Sequence, residues 1–387
     1  MRILIVSQYY RPAFSFGGTV ANAVALAEGL ARMGHQVSVA TTTRLDIGKR
    51  APWRSRIESM GGVTVHYLGT WRSFRKGNLN PAVLKYAPPG KFNFDVLHII
   101  GLYDSIGPFL ASVAAWRKVP YSIEPAGMLI AGKRTMQGKR LYHHFVGRRF
   151  LSGAKAVVVT SRKEWDDAIH FGLEPEHLIM RRNGVDKSEY QRLLPKGRFR
   201  QRWGIPVNEP IILWLGRIDP MKNLEQLFAA MSGLIDLPWR LAIVGPTETP
   251  GYSTGLKELA SQLAIDSRVR FVPPLYGPDK LAAFADADVL ALVSLSENWG
   301  NSAQEAIAAG VPVLVTKTCG VSEVIDQGGG LVVALGIDPI REGLRRLLTD
   351  SEFYQQCKSE LLAMAAAISW DEPVLQMANM FEGWKRQ

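Results

Sequence analysis

Two carboxylates stand eight positions apart across a strand-to-helix junction in residues 293–316, "VSLSENWGNSAQEAIAAGVPVLVT". Glu297 lies in the polar loop after an apolar run, and Glu305 lies in the helix-like segment that follows. Trp299-Gly300-Asn301 leads into that segment, and the free N–H groups of a helix N-terminus hold phosphate oxygens well. Carboxylates on either side of a phosphate would accept hydrogen bonds from sugar hydroxyls, one from a transferred sugar and one from a ribose. The stretch therefore predicts a nucleotide-sugar site.

A purely structural interpretation of the second acid stays open. Ser302 and Glu305 match the S-x-x-E pattern of a capping box, in which the acid satisfies backbone groups at the start of a helix. Glu297 fits no such pattern, and it follows a buried strand at the edge where ligands bind.

Two cations follow the first strand of the second half of the chain, in "WLGRIDPMKN". Lys222 is expected at a helix start, where a positive charge opposes the helix dipole unless an anion lies beside it. A diphosphate would supply that anion and would suit both the forked guanidinium of Arg217 and the ammonium of Lys222. The alternative is a pair of solvated surface cations.

A glycine pair follows the first strand of the chain, in "SFGGTVANAVALAEGL". Gly17 and Gly18 would let the backbone approach a ligand closely, with a helix N-terminus behind them that favours phosphate. The G-x-G-x-x-G spacing of a dinucleotide fold is missing, and "TTTRLD" places no acid at the end of the second strand. Nicotinamide binding is therefore disfavoured, and an ordinary tight turn remains the alternative.

The elements that position these residues follow a βαβ rhythm from end to end. Strand-like runs such as "RILIVS", "DVLHII", "PIILWLG" and "DVLALVS" alternate with amphipathic segments, which predicts parallel sheets with helices on both faces. A polar, basic linker at about 187–206 separates two doubly wound domains. Ligands of such sheets bind beyond the carboxyl ends of the strands, so a cleft between the domains is the expected site.

The chain of 387 residues carries a net charge of +11 that is unevenly distributed. Residues 1–200 hold 31 Lys and Arg against 13 Asp and Glu, and the remainder holds 15 against 22. A basic half suits anionic lipid headgroups, a phosphorylated acceptor or nucleic acid, although solvated basic helices with no partner are the alternative. Two cysteines give no disulfide framework, and neither a signal peptide nor a transmembrane run is apparent.

Taken together, the motifs resemble those of the retaining glycosyltransferases of family 4, which have the GT-B fold. The acid pair and "GRIDPMKN" are the specific parts; "FGGTVANAVALAEGLARMGHQVSV", "RRNGVD" and "SWDEPVLQMANMFEGW" support them. The resemblance covers nearly the whole chain. It implies an α/β architecture with an acceptor-side domain at 1–190, a donor domain at 205–371, and a terminal helix at 372–387 that packs back on the first domain.

The resemblance also implies roles for individual residues. Arg217 and Lys222 match the pair that neutralises the donor diphosphate, Glu305 the acid that binds ribose, and Glu297 the acid near the donor sugar. The family's donor contacts further correspond to Gly17, Gly18, Asn298, Trp299, Gly300 and Asn301. Many members have His-Gly after a strand of the first domain, where this chain has Ala126-Gly127. Glu124 and Gly127 are the acceptor-side candidates there.

The implied reaction moves a sugar from a nucleotide diphosphate sugar to a hydroxyl of a saccharide or lipid-linked saccharide, with no metal or other cofactor. Bacterial cell-surface polysaccharide synthesis is the expected setting, in the cytoplasm and with peripheral contact to an anionic membrane. The basic, partly amphipathic segment 132–150 is the candidate for that contact. The leaving diphosphate would help to deprotonate the acceptor, so no protein nucleophile is required.

Two other functions compete with this one. A nucleotide-sugar 2-epimerase of the same fold would need acid and base carboxylates and histidines, and no such set is recognisable. A nucleic-acid binder would explain the basic half but not the donor motifs. Asp286-Ala287-Asp288 spells a metal-binding D-x-D, but its place at a strand start predicts a structural role, and His143-His144 lacks a third ligand.

Overall fold

The computed structural model describes residues 1–46, 52–73, 78–88, 90–129, 142, 146–190, 195–247 and 249–385. The chain divides into two compact units, Met1–Asn183 with Trp370–Gln387, and Gly184–Ser369. The first unit ends at Asn183, before the expected linker at about 187–206, so the linker residues belong to the second unit. Val185 N–H donates to the Ile368 carbonyl at 2.8 Å, and Tyr190 is buried in the core of that unit.

Unit 1, Met1–Asn183 with the terminal helix, contains an eight-stranded sheet. Its described strands are β1 (Arg2–Ser7), β2 (Gln36–Thr42), β3 (Arg56–Met60), β4 (Val63–Leu68), β5 (Arg72–Ser73), β6 (Asn78–Leu79), β7 (Val96–Ile100), β8 (Tyr121–Glu124), β9 (Ala156–Val159) and β10 (Leu178–Met180). Its first helices are α1 (Gly18–Arg32), α2 (Ile106–Trp116), α3 (Arg148–Ser152) and α4 (Arg162–Phe171).

The strand order of this sheet is β10-β9-β8-β7-β1-β2-β4-β3, and β5 pairs only with β6. The pairs are parallel except β3 with β4, which is antiparallel. The central strands are apolar throughout, as expected for a parallel sheet covered on both faces. The order reverses between β1 and β7, so the loops after these two strands, Gln8–Gly17 and Gly101–Ser105, flank the switch point where doubly wound sheets bind ligands.

Unit 2, Gly184–Ser369, contains a six-stranded parallel sheet. Its strands are β11 (Ile211–Leu215), β12 (Arg240–Val244), β13 (Val269–Val272), β14 (Val289–Leu292), β15 (Val313–Thr316) and β16 (Gly330–Val333). Its helices are α5 (Lys187–Tyr190), α6 (Arg198–Trp203), α7 (Leu224–Ser232), α8 (Tyr252–Gln262), α9 (Gly277–Asp286), α10 (Asn301–Ala308), α11 (Ser322–Ile325), α12 (Ile337–Thr349) and α13 (Ser351–Ala367).

The order β13-β12-β11-β14-β15-β16 is that of a dinucleotide-type sheet, and its switch point lies between β11 and β14. The loops after these two strands carry the predicted donor residues of unit 2. The α/β class with two doubly wound sheets is therefore confirmed.

The last helix, α14 (Asp371–Lys385), belongs to unit 1 although it follows unit 2 in sequence. Val374, Met377 and Phe381 are buried in the core that also contains α1 residues, and Gln376 donates to the Met180 carbonyl at 2.9 Å. At Gly29 on α1 a Cβ atom would lie 2.5 Å from Val374, so glycine permits this close packing. None of the described helices is both long and apolar enough to span a bilayer.

Candidate functional site

Lys222 and Glu297 meet at the switch point of the unit 2 sheet. The Lys222 ammonium and the Glu297 carboxylate form an ion pair, with 17% and 21% of their side chains exposed. Lys222 ends a 3-10 turn, Pro220–Lys222, that follows β11, and Glu297 lies in the loop after β14. The expected helix start lies two residues later, at Leu224. The anion beside Lys222 in this structure is therefore a carboxylate of the same site.

Hydrogen bonds hold the two loops against each other. Asn223 Nδ2 donates to the Val293 carbonyl at 3.0 Å, and Leu295 N–H donates to the Met221 carbonyl at 2.9 Å. Asn223 has a φ of +59°, which lets the chain turn into α7 directly after Lys222. The ion pair thus rests on a fixed backbone rather than on free loops.

The segment after β15 fixes the Glu297 backbone. Glu297 N–H donates to the Thr318 carbonyl at 3.1 Å, and Gly320 N–H donates to the Glu297 carbonyl at 3.1 Å. Ser294 Oγ lies 3.5 Å from Glu297 Oε2, and Thr316 Oγ1 donates to the Ser294 carbonyl at 3.1 Å. The loops after β11, β14 and β15 thus all help to fix the position of the Glu297 carboxylate.

Arg217 lies half-buried just beyond the end of β11, one residue after Gly216. The adjacent loop after β12 comes so close that a Cβ atom at Gly245 would lie 1.7 Å from the Gly216 carbonyl oxygen. Ile218 N–H donates to the Pro246 carbonyl at 2.8 Å. Arg217 therefore starts from the same strand end as Lys222, on a backbone clamped by its neighbour.

The predicted phosphate-binding turn opens α10. Gly300 is its N-cap with a φ of +112°, and a Cβ atom there would lie 2.8 Å from Leu292, so glycine is required. Trp299 is 3% exposed and its indole N–H donates to Gln304 at 2.8 Å, so its side chain belongs to the core. The turn therefore offers backbone groups to a ligand, with Asn298 before Trp299 and Asn301 at the first helical position.

Glu305 pairs with a lysine that the sequence analysis did not identify. Lys280 Nζ lies 2.9 Å from Glu305 Oε1, with 20% and 17% of the two side chains exposed. The Lys280 ammonium lies 5.8 Å from the centroid of the Tyr190 ring. Burial raises the pKa of the Tyr190 hydroxyl, and the charge of nearby Glu305 raises it further.

The capping-box interpretation of Glu305 is wrong. The N-cap of α10 is Gly300, so Ser302 is the second helical residue and cannot act as the cap. The Glu305 carboxylate bonds to Lys280 rather than to the helix start. A genuine S-x-x-E cap occurs elsewhere, where Ser161 Oγ accepts from Glu164 N–H at 3.1 Å at the start of α4.

The D-x-D aspartates have structural partners, as predicted from their position. Asp286 accepts from the N–H groups of Gly197, at 2.5 Å, and Arg200, at 2.9 Å, and so caps α6. Asp288 pairs with the Arg200 guanidinium at 3.0 Å and accepts from Ile211 N–H at 2.8 Å. Within the described part of the chain no cluster of three His, Cys, Asp or Glu is arranged to hold a metal ion.

Cys319 lies next to this site but is a poor nucleophile. Its side chain is 1% exposed, and burial raises the pKa of the thiol to about 11. The thiol therefore stays protonated near neutral pH and provides little thiolate.

In unit 1, Gly17 and Gly18 begin α1 at the switch point of the first sheet. Gly17 is the N-cap with a φ of +95°, and the Phe16 ring before it stacks on Tyr9 with 3.6 Å between centroids. The Arg44 guanidinium lies 5.4 Å from the Phe16 centroid. Burial raises the pKa of Tyr9, against the opposing effect of Arg44.

Buried polar atoms without a hydrogen-bond partner accumulate at this edge of unit 1. Within the described residues they include both amide atoms of Asn78, which is 3% exposed, together with Gln8 Nε2, Ser15 Oγ and two guanidinium nitrogens of Arg44. Native proteins leave few such groups unsatisfied, because each costs desolvation energy, and those that persist often have a functional reason. These positions could not be recognised from the sequence, since nothing in their spacing marks them.

Glu124 has partners that explain it without an acceptor. Its carboxylate is 1% exposed and lies 2.9 Å from Arg181 and 3.4 Å from His98 Nε2. Burial alone would raise the pKa of Glu124, but the Arg181 guanidinium and His98 outweigh it and the pKa is lowered. These partners give the buried Glu124 carboxylate a structural role in unit 1, and its acceptor-side role stays a prediction.

Gly127 takes part in a turn that the sequence did not predict. Ala126 and Gly127 have φ values of +53° and +78°, and Gly127 N–H donates to Glu164 Oε1 at 2.5 Å. Left-handed backbone is unusual at alanine. Ala126, where the family resemblance leads one to expect histidine, is thus held in a constrained turn beside the start of α4.

Comparison with known proteins identifies a family for each half of the chain. A family model described as Glycosyl transferases group 1 matches residues 195–361, and one described as Glycosyl transferase 4-like domain matches residues 17–184. Between them they cover most of the chain. Neither an epimerase nor a nucleic-acid binder is favoured, since the models and the named relatives are glycosyltransferases.

Relatives and solved structures match over nearly the full length. D-inositol 3-phosphate glycosyltransferase 1 of Catenulispora acidiphila is 29% identical, covering 94% of this chain and 90% of its own. The Corynebacterium efficiens D-inositol 3-phosphate glycosyltransferase is 24% identical, covering 98% and 95%. Sucrose-phosphate synthase from Thermosynechococcus elongatus superposes with a TM-score of 0.77 at 20% identity, covering 99% and 98%. Anabaena HepE, solved with UDP-glucose, superposes with a TM-score of 0.78 at 17% identity, covering 99% and 100%. The chain belongs to the family 4 glycosyltransferases and has the GT-B fold.

Proposed function

We propose that unit 2 binds a nucleotide diphosphate sugar and that the enzyme transfers the sugar with retention of configuration. The observation that supports this most directly is the Lys222–Glu297 pair at the switch point, beside the glycine turn that opens α10. The cation suits a diphosphate, the carboxylate suits sugar hydroxyls, and the turn offers N–H groups to phosphate oxygens.

In this proposal Lys222 exchanges one anion for another when donor binds. The ammonium leaves the Glu297 carboxylate for the diphosphate, and Glu297 becomes available to hydroxyls of the transferred sugar. Arg217 adds a second positive charge from the same strand end. Asn298, Gly300 and Asn301 contribute backbone groups, and Glu305 receives the ribose.

The chemistry asked of the protein is positioning and charge stabilisation of the leaving group. The departing diphosphate takes the proton of the acceptor hydroxyl on the face where the new bond forms, while the glycosidic bond to the diphosphate breaks. We propose that no metal is needed, because the D-x-D carboxylates are engaged in capping α6 and supporting β11.

Unit 1 would supply the acceptor side and the glycines beside the diphosphate, Gly17 and Gly18. The unsatisfied polar atoms of Asn78 and Arg44 support a polar ligand there. The named relatives act on D-inositol 3-phosphate, and an acceptor bearing a phosphate would suit the basic half of this chain. We propose a hydroxyl acceptor on a saccharide or lipid-linked saccharide, in the synthesis of a bacterial cell-surface polysaccharide.

Peripheral contact with an anionic membrane completes the proposal and places the enzyme in the cytoplasm, at the inner membrane face. Most of segment 132–150 lies outside the described residues, so this part rests on the sequence. Binding should be lost in high salt, because attraction to the leaflet is screened within about 8 to 10 Å at physiological ionic strength. Equal, negligible pelleting with anionic and neutral vesicles would rule it out.

The donor is tested by a thermal-shift screen over UDP-, GDP-, ADP- and TDP-sugars, because a ligand of the native state raises the melting temperature. The stabilising donor is then incubated with candidate acceptors, and the anomeric configuration of the product is read by NMR. Retention supports the proposal and inversion contradicts it. Release of a free 2-epimer with no transfer would favour the epimerase instead.

A further inference from the structure

Two highly exposed tryptophans lie together at one end of the unit 1 sheet. Trp53 is 72% exposed and Trp71 is 73% exposed, although tryptophan is usually well buried in folded proteins. Trp53 precedes β3 and Trp71 follows β4, and these strands are antiparallel with Arg56 opposite Tyr67. Both side chains therefore stand at the same end of the strand pair.

Backbone contacts bring the two segments side by side. Thr70 N–H donates to the Pro52 carbonyl at 3.2 Å, and a Cβ atom at Gly69 would lie 1.8 Å from the Trp53 carbonyl oxygen. Trp71 N–H donates to the Leu79 carbonyl at 2.9 Å. Because β4 is parallel to β2, this end is the carboxyl edge of the sheet, where the donor glycines also lie.

Further exposed apolar and basic residues lie on the same segments as the pair. Ile57 on β3 is 61% exposed and Leu79 is 39% exposed, and β3 is the last strand of the described sheet. The Arg54 guanidinium lies 5.4 Å from the Trp53 ring centroid. In the described parts of 44–73 the charged residues are Arg44, Arg54, Arg56 and Arg72 against Asp46 and Glu58. We call Trp53, Ile57, Trp71 and Leu79, with Arg54, the tryptophan surface.

We propose that the tryptophan surface docks on an anionic lipid bilayer. Tryptophan prefers the boundary between headgroups and acyl chains, and neighbouring arginines are attracted to anionic headgroups. Ile57 and Leu79 favour a bilayer over a saccharide, because their aliphatic side chains would gain little from hydroxyl groups. The surface lies outside segment 132–150, and the inference rests only on the membrane part of the proposed function.

The test measures co-sedimentation of the full chain with vesicles of phosphatidylglycerol and phosphatidylcholine in equal parts, and with phosphatidylcholine alone. The variant carries Trp53→Ala and Trp71→Ala together. Losing both rings should weaken binding to the anionic vesicles at least about tenfold, because binding strength follows the apolar area buried in the interface. The melting temperature should not change, since both side chains are largely exposed.

Trp116 provides a matched control on the same unit. It is 68% exposed, and the Arg117 guanidinium lies 4.3 Å from its ring centroid. It ends α2, which runs back from the carboxyl edge, so it stands at the opposite edge of the sheet. Trp116→Ala should leave vesicle binding unchanged. Equal losses in the control and in the double variant would overturn the inference, as would no loss in the double variant.

A saccharide or a second copy of the chain bound at the tryptophan surface would give different results for the double variant. If the double variant binds vesicles normally but uses the acceptor poorly, the surface is a saccharide subsite and the inference is wrong. If it loses a dimer that sedimentation velocity detects in the wild type without lipid, the surface joins two copies and the inference is wrong.

A second readout measures insertion directly. Tryptophan quenching by brominated lipids should be strong in the wild type and largely lost in the double variant, and equal quenching in both would overturn the inference. If wild-type protein does not bind anionic vesicles at all, this inference falls together with the proposed membrane contact. Transfer to a soluble acceptor is measured without lipid, so the failure of the glycosyl-transfer proposal would be seen separately.

Discussion

Lys222 and Glu297 show how a single site can hold opposite charges in readiness for a charged ligand. Each partner satisfies the other while no donor is bound, which avoids leaving a half-buried charge unpaired. In the proposed donor complex, the diphosphate displaces the Glu297 carboxylate from the Lys222 ammonium. The freed carboxylate would then accept hydrogen bonds from the sugar, so the proposal uses the same two residues with and without donor.

The cations of this site are expected to control turnover. Arg217→Ala or Lys222→Ala should reduce kcat/KM by about 2 to 4 kcal/mol of transition-state stabilisation, comparable with the loss of one preorganised charge donor. Turnover with the donor found by thermal shift is the measurement. Lys257→Ala, which removes an exposed lysine from α8, is the control and should behave as wild type. Wild-type turnover in Arg217→Ala would remove that residue from the proposed site.

Glu305 and Lys280 are expected to act on the nucleotide ribose. Glu305→Gln should fold normally, because the carboxylate does not cap α10, but it should bind the nucleoside diphosphate more weakly. Lys280→Met should reproduce part of this loss, because the ammonium at 2.9 Å orients the carboxylate. Isothermal titration compares the nucleoside diphosphate with its 2′,3′-dideoxy form.

The dideoxy ligand distinguishes the loss of a ribose contact from a general loss of nucleotide affinity. Both variants should bind it as well as the wild type does, because the hydroxyls that Glu305 would accept from are missing. Unchanged affinity of Glu305→Gln for the natural nucleotide would contradict the ribose assignment. If only Lys280→Met behaved as wild type, Glu305 would keep its assignment and Lys280 would lose its positioning role.

At the scale of elements, the buried cluster of His98, Glu124 and Arg181 joins β7, β8 and the residue after β10. It lies beneath the terminal helix, where the Arg181 guanidinium is 5.2 Å from the Trp370 ring centroid and His98 is 6.0 Å from Phe381. A buried ion pair adds little net stability in itself, but removing one partner is costly. The cluster therefore ties three strands to the helix that returns to unit 1.

The cluster predicts a loss of stability as the pH falls. Burial lowers the pKa of His98, so below about pH 6.5 the unfolded chain takes up a proton that the native state excludes, and stability decreases. The lowered pKa of Glu124 acts in the same direction in a more acidic window, since stability present above its unfolded pKa is lost as pH falls through the folded value.

Urea unfolding at pH 7.5 and 5.5 measures this effect. The wild type should lose about 1 kcal/mol from His98 over that interval, and His98→Gln should lose less because glutamine does not titrate. The pH dependence of the free energy of unfolding will not vanish in His98→Gln, because burial also lowers the pKa of His35 and His66. An identical pH dependence in His98→Gln would show that His98 does not contribute.

The sequence predicted most elements because parallel strands buried on both faces are continuous apolar runs. β1, β7, β11 and β14 all lie where such runs occur. β3 was not predicted, because its exposed, alternating residues "RIESM" resemble a polar loop and its pairing depends on β4.

The candidate site was predictable only in part. Glu297, Glu305, Arg217 and Lys222 stand in loops next to recognisable strands or helices, so local pattern identified them. Lys280 and Tyr190 lie on other elements, and only the folded chain brings them to Glu305. The same reason explains why the unsatisfied atoms of Asn78 and Arg44 could not be foreseen.

At the scale of the whole molecule, the two units should respond to ligand separately. Lys222, Glu297 and Glu305 all belong to unit 2, so a nucleoside diphosphate alone should raise the transition of that unit in calorimetry. Unit 1 should shift less, because none of these three residues belongs to it. Lys222→Ala should abolish most of the shift. A nucleotide-dependent rise confined to unit 1 would contradict the assignment of the donor to unit 2.

The terminal helix gives the last prediction, because it follows unit 2 in the sequence but belongs to unit 1. Phe381 is 0% exposed in the core of unit 1, and Leu375 on the same helix is 47% exposed. Phe381→Ala should lower the free energy of unfolding of unit 1 by about 3 to 5 kcal/mol, from lost burial and the remaining cavity. Leu375→Ala is the matched control and should change it by less than about 0.5 kcal/mol.

Calorimetry resolves which unit is affected. The transition that nucleotide raises belongs to unit 2, so Phe381→Ala should lower the other transition and leave the nucleotide-sensitive one in place. Phe284→Ala, which empties a 0% exposed position in the core of unit 2, should do the reverse. If Phe381→Ala instead lowered only the nucleotide-sensitive transition, the terminal helix would stabilise unit 2, contrary to its packing on α1.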